Sequence, residues 1–212
     1  MSAAAQPYPH ADEGREVSET KDEFRALLRA ARTARSPRRR AEAADALVEV
    51  LRTLPALEGA RTVAAYSARP TEPGTLPVLE ALSARGIGVL LPVLGAGLQR
   101  EWARYAGPDD LLQRSPGRPP EPGGPSLGAE GLAEADLILA PALAVDTDGA
   151  RLGQGGGWYD RALQHARPGV PVVAVVFAEE VYDAAVHPVP REPHDRTVDL
   201  ALTPERWLRL GA

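Results

Sequence analysis

The chain has 212 residues, 44% hydrophobic and 25% charged, enough to bury the core of one domain or two small ones. Its formal net charge of −5 argues against a nucleic-acid binder, and the absence of cysteine excludes disulfides and zinc–thiolate sites. No apolar run reaches the roughly 18 residues a membrane span needs, and the start "MSAAAQPYPHADEGREVSET" lacks the basic and apolar stretches of a signal peptide, so a cytoplasmic protein is expected.

Residues 1–17 read as a loose tail ahead of a single domain over 18–212. "TKDEFRALLRAARTAR" carries a capping-box pattern, Thr20 with Glu23 three residues on, and Phe24, Leu27, Leu28 and Ala31 follow at helical spacing. This places Lys21 in a first helical turn, where the macrodipole disfavours a cation. Ser36-Pro37 then reads as the cap and first residue of a second helix reaching about Leu54. "RTVAAYS" is a short buried strand; a helix follows, ending at Gly86; "IGVLLPV" and "EWARYA" are further strands. Residues 107–131, rich in proline and glycine, read as a long surface connection. "ADLILAPAL" is an apolar strand, and a helix is expected from Trp158 to His165. "VPVVAVVF" is another buried strand, with a short helix near 179–185, a last strand at "VDLALT" and a helical turn at "PERWLRL". Continuous apolar strands alternating with helices predict an α/β fold: one three-layer domain with a mostly parallel or mixed central sheet and helices on both faces.

Of the 24 basic residues only Lys21 is lysine, which is either chance or a position where arginine would not serve. Lys21, Arg25 and Arg32 fall within roughly 40° of one another on the first helix, with Arg29 further round. Such a stripe is either a solvated face or one turned toward an anion. Glycine fills four of the five positions 153–157, in "ARLGQGGGWYDRAL", directly before a helix. The loop is either a mobile turn or a nest of inward-pointing amides that holds an anion. It fits neither the dinucleotide fingerprint, because Trp158 takes the third glycine position, nor the P-loop, which ends in G-K-[ST]. Arg151 and Arg161 flank it and suit phosphate; Asp160 suits a cation between carboxylate and phosphate. In "HPVPREPHDRTVD" the prolines break helical ligand spacing, so Asp195 reads as a single carboxylate ligand and His187 as structural.

In chain order these stretches resemble the 5-formyltetrahydrofolate cyclo-ligase family. Its glycine motif R-L-G-x-G-G-G-Y-Y-D-R stands here as "RLGQGGGWYDR". Its opening K-x-x-L-R is matched by "KDEFR", with Arg32 and Ser36 beyond. Its middle E-x-x-T is matched by Glu72 and Thr75 in "SARPTEPGT", and its closing H-D-x-x-[VL]-D by "HDRTVD". Gln154 departs from the family's tyrosine or basic residue, Trp158 from its first tyrosine, and Glu179 or Glu180 from its frequent glutamine. The resemblance implies ring closure of 5-formyltetrahydrofolate to 5,10-methenyltetrahydrofolate, with ATP as co-substrate, Mg²⁺ as cofactor, and ADP and phosphate released. It assigns ATP to Lys21, Arg25, Arg151, Leu152, Gly153, Gln154, Gly155, Gly156, Gly157, Trp158 and Tyr159. It assigns the folate to Ser67, Glu72, Gln154, Gly155, Gly156, Gly157 and Trp158, and magnesium to Asp160 and Asp195. No general base is marked. A monomer with no nucleic-acid or membrane partner is expected. The alternatives are a sugar-phosphate isomerase or CoA-transferase-like enzyme, and a non-catalytic nucleotide- or folate-binding relative.

Overall fold

The computed structural model describes residues 6–9, 16–94 and 99–211. Helix α1 spans Val17–Ala34, one turn longer at its start than the Thr20 capping box predicts. Neither proline nor glycine interrupts 17–19, and Glu19 complements the positive end of the dipole. Thr20 turns its hydroxyl back to the Glu16 carbonyl (3.3 Å) instead of capping. Lys21 therefore lies in the second turn, and it is buried rather than part of a solvated stripe. Helix α2, Pro37–Arg52, opens as the Ser-Pro pair predicts: Ser36 accepts from the Arg39 amide at 3.3 Å. Helix α3 is Leu76–Ala84. Helix α4, Trp158–Ala162, is a single short turn that continues as a 3-10 turn over Leu163–His165.

In chain order the strands are β1 (Thr62–Ala64), β2 (Gly88–Leu94), β3 (Arg100–Arg104), β4 (Leu111–Leu112), β5 (Glu121–Pro122), β6 (Leu137–Pro141), β7 (Ala144–Asp146), β8 (Arg151–Leu152), β9 (Val172–Val175), β10 (Val181–Tyr182), β11 (Leu200–Leu202) and β12 (Trp207–Arg209). Seven of them form one mixed sheet in the order β12-β11-β9-β6-β1-β2-β3. The inner five run parallel, with Val63 opposite both Val89 and Leu137, and the two edges are antiparallel. The inner strands are almost wholly buried, as their unbroken apolar runs predict. Helices α2 and α3 pack on this sheet, with Leu47, Leu51, Leu79 and Leu82 in one core with β1, β2 and β6, while Phe24 and Leu28 of α1 pack with Ala144, Leu152 and Tyr182 of the smaller sheet. Strand β9 splits its alternation: Val173 and Val175 join that core, while Ala174 faces Val145 and Ala201 in a smaller one. There the three-stranded sheet β10-β7-β8 packs.

Three stretches differ from their sequence reading. "PERWLRL" is strand β12, not a helical turn. Thr203 and Arg206 close a tight turn, with the Thr203 amide on the Arg206 carbonyl at 3.0 Å, and this folds Trp207–Arg209 back on β11. The helix expected near 179–185 is a 3-10 turn, Ala178–Glu180, because β-branched Val181 and aromatic Tyr182 pair with β7 instead. The connection at 107–131 carries the small β4–β5 hairpin. Of the expected tail, residues 6–9 are bound. Tyr8 packs edge-on against Phe24 (5.3 Å between centroids), and the Gln6 amide donates to the carbonyls of Glu179 and Val181. No helix among the described residues is long and apolar enough to cross a membrane.

The strand order places the site. The chain lays β1, β2 and β3 outward to one side, then returns to add β6, β9, β11 and β12 on the other. Connections from the carboxyl ends of β1 and β6 thus leave in opposite directions and open a crevice between them.

Candidate active site

A cavity of about 770 Å³ fills that crevice, at the upper end of the range for small-ligand sites. Tyr66 and Ser67 reach it from the end of β1, Pro141 from the end of β6, and Pro92, Val93 and Leu94 from β2. All fifteen residues assigned above to ATP, folate or metal line this one cavity. Sequence reasoning missed several others. Arg118, Pro119 and Pro120 come from the β4–β5 hairpin, whose composition suggested only surface loop. Tyr66 was read merely as the end of a strand, although the carboxyl end of a parallel strand is where such folds place ligands.

The glycine loop, 153–157, joins β8 to α4 and is wrapped in guanidinium groups. Arg25 donates from Nε to the Gly153 carbonyl (3.0 Å), Arg29 to that of Gln154 (2.8 Å), and Arg161 to that of Gly156 (2.6 Å). Three of the loop's carbonyls are so engaged. Gly155 shows why glycine is needed: its φ is +95°, and a Cβ there would meet the Arg25 guanidinium at 3.4 Å. The arginines thus choose the loop's conformation as well as its charge.

Gln154 ties the loop to both walls. Its Oε1 accepts from Arg29 Nη2 (3.2 Å), and its Nε2 donates to Glu72 Oε1 (2.9 Å). Glu72 is buried and its other oxygen accepts the Arg69 amide at 2.8 Å. Thr75 fixes the same turn by donating to the Tyr66 carbonyl (2.6 Å) and accepting from the Ala68 amide (3.1 Å). The E-x-x-T spacing is therefore a device that holds a buried carboxylate at the cavity wall. Trp158 supplies an aromatic surface and is braced edge-on by Trp102 at 5.5 Å. The phenol of Tyr159 is buried without a hydrogen-bond partner.

Lys21 Nζ lies 2.6 Å from Glu192 and 2.5 Å from Asp195, both carried by the segment after His187. Burial alone would raise the Asp195 pKa. The Glu192 amide (2.7 Å) and the Lys21 ammonium outweigh it and hold the carboxyl below the ordinary value. Ligand atoms of Glu192, His194 and Asp195 lie within 4.8 Å of one another. Two carboxylates suit a hard cation that keeps several waters; the exposed His194 nitrogen does not belong to that chemistry. Asp160 stands outside this group, with its Oδ1 on Arg151 Nη2 at 2.7 Å. His187 stacks against Tyr8 at 4.4 Å, consistent with a packing role.

The profile of the 5-formyltetrahydrofolate cyclo-ligase family matches residues 17–204. The chain belongs to that family of enzymes. The 5-formyltetrahydrofolate cyclo-ligase of Mycolicibacterium smegmatis is 41% identical over 82% of this chain and 97% of that protein. The Escherichia coli K12 protein of the same name is 32% identical over 66% of this chain and 77% of its own length. Among solved structures, the 5,10-methenyltetrahydrofolate synthetase of Aquifex aeolicus superposes with a TM-score of 0.75 at 26% identity, covering 91% of this chain and 93% of that one. The mixed seven-stranded sheet is thus a family architecture, and the family places the chain in folate-linked one-carbon metabolism.

Proposed function

We propose that this cyclo-ligase family member closes 5-formyltetrahydrofolate to 5,10-methenyltetrahydrofolate at the expense of ATP. The observation that carries the reading is one cavity with two unlike walls. A guanidinium-wrapped glycine loop faces a buried carboxylate and an aromatic surface. Phosphoryl transfer needs positioning and charge neutralisation more than covalent catalysis, and the first wall offers both. Arg25, Arg151 and the loop amides would hold the triphosphate, with Lys21 beside them. Ser67, Glu72 and Trp158 would hold the folate.

The formyl oxygen attacks the γ-phosphorus and ADP leaves, so the formyl carbon carries a phosphate. The N10 nitrogen attacks that carbon, its proton is lost, and phosphate departs with the C–O electron pair. Arg25 and Arg151 would hold the transferring group in line with its acceptor, and Trp158 would keep water from the activated carbon. Asp195, joined by Asp160 once released from Arg151, would hold Mg²⁺, with Glu192 as a further oxygen donor. When bound, the ion neutralises phosphate charge.

The test is absorbance of the methenyl product from 5-formyltetrahydrofolate. Product should form only when ATP and Mg²⁺ are both present. ATP hydrolysis without methenyl product would reject the ligase reading, and binding of both ligands without turnover would favour a non-catalytic role.

A further inference from the structure

The segment 188–195 brings Glu192, His194 and Asp195 to the cavity, yet it has few means of attachment. Three of its eight residues, Pro188, Pro190 and Pro193, have no backbone N–H to donate. Among the described residues, its hydrogen bonds to the rest of the fold come from Lys21 to Glu192 and Asp195, from the Val189 amide to Asp146 (2.9 Å), and from the Tyr8 hydroxyl to the Pro188 carbonyl (2.8 Å). Tyr8 also stacks on His187, just ahead of the segment, at 4.4 Å between centroids. The same ring meets Phe24 edge-on at 5.3 Å and Tyr182 at 6.0 Å. Phe24 stands three residues after Lys21 on α1, so the two are neighbours on the helix surface. Tyr8 thus touches both elements that Lys21 joins, the helix that carries the ammonium and the segment that carries its carboxylates. Tyr8 is itself pinned from both sides in sequence. The Tyr182 hydroxyl donates to the Pro7 carbonyl (2.6 Å), and the Gln6 amide donates to Glu179 and Val181 (2.9 Å each). Yet Tyr8 is not among the residues that line the cavity, and it lies ahead of the family-matched stretch, 17–204.

We infer that Tyr8 is a positioning residue, a wedge between α1 and the segment 188–195 that sets where Glu192 and Asp195 stand relative to Lys21 and thereby tunes nucleotide affinity from outside the cavity. The inference rests on the function proposed above, which gives Lys21 and these carboxylates to the triphosphate and its magnesium. Without the wedge, a proline-rich segment with fewer anchors must be ordered when the nucleotide binds, and that ordering is subtracted from affinity. The residues proposed for the folate are held by other means, Glu72 by the Arg69 amide and Trp158 by Trp102. The effect is therefore confined to one of the two substrates.

The experiment is titration calorimetry of wild type, Tyr8→Ala and Tyr8→Phe, with Mg·ATP in the absence of folate and with 5-formyltetrahydrofolate in the absence of ATP. Thermal unfolding is measured alongside, and the titrations are run well below each Tm. Tyr8→Ala should raise the Mg·ATP Kd about 3–10-fold and leave the folate Kd within about twofold. Tyr8→Phe keeps the ring and should bring the Mg·ATP Kd back to within about twofold of wild type. In the coupled assay the KM for ATP should rise in Tyr8→Ala while kcat and the folate KM stay within about twofold. A lower Tm with an unchanged Mg·ATP Kd makes Tyr8 merely structural, which overturns the inference and leaves the proposed reaction standing. Equal weakening of both ligands overturns it too, since the whole fold would then be loosened, and so does a Tyr8→Phe variant no better than Tyr8→Ala. A wild type that binds no Mg·ATP removes the proposed function and this inference with it.

Discussion

At the scale of single residues, Lys21 changes character between sequence and structure. In the sequence it is a lone lysine at a helix start, either on a solvated face or turned toward an anion. In the fold it is a buried ammonium between two carboxylates, so substitution reaches stability. Lys21→Met leaves Glu192 and Asp195 to repel each other. It should cost about 1–3 kcal/mol, below the 3–5 of a fully enclosed pair, because Glu192 is 36% exposed. Asp195 gives the matching pH dependence. Its folded pKa is depressed, so its contribution is complete above the unfolded value near 4 and is lost as pH falls through the folded value. Tm measured against pH should therefore show wild type above Asp195→Asn at neutral pH, with the gap closing below about pH 4. A gap that stays constant into acid would remove Asp195 from the pair.

At the scale of elements, α1 is held to the chain just after β6 and to the 3-10 turn Ala178–Glu180 by Arg32, not by apolar packing alone. Its Nε and Nη2 meet the two oxygens of Glu180 at 2.7 Å each, and Nη2 also reaches the Ala142 carbonyl at 2.6 Å. The pair is 1% and 4% exposed. Arg32→Met should lose about 3–5 kcal/mol in denaturant unfolding, since Glu180 is left charged and buried. Arg32→Met with Glu180→Met should recover at least half of that loss. Additive losses in the double variant would show that the pair is not coupled. Element existence was legible because buried parallel strands are continuous apolar runs and Ser-Pro marks a helix start. The end of the chain was not, because "PERWLRL" fits a helix locally and only its pairing with β11 decides otherwise. The glycine motif made the loop legible, while Tyr66 and the β4–β5 hairpin carry no local signature of a site. Arg32 read as one cation among several because Glu180 lies 148 residues away.

At the scale of the whole molecule, the charge is unevenly placed. The chain carries a formal −5, yet among the described residues seven cationic and five anionic side chains line the cavity. An anionic substrate is repelled by the surface at large and drawn to one opening, an effect that salt screens. Raising ionic strength from about 0.05 to 0.5 M should raise the apparent KM for ATP several-fold while kcat changes less than twofold. A KM insensitive to salt would mean that the field at the mouth is already neutral. The Lys21 pairings span 171 and 174 residues of chain, and this sets a time order on synthesis. Helix α1 leaves the ribosome well before its partners, with Phe24 and Leu28 uncovered until Leu143, Leu152 and Tyr182 emerge to bury them. Its ammonium finds its carboxylates only when translation has passed Glu192 and reached Asp195. A nascent chain therefore displays a sticky helix until those partners follow, and a product terminated before them lacks the pairings that close this side of the cavity.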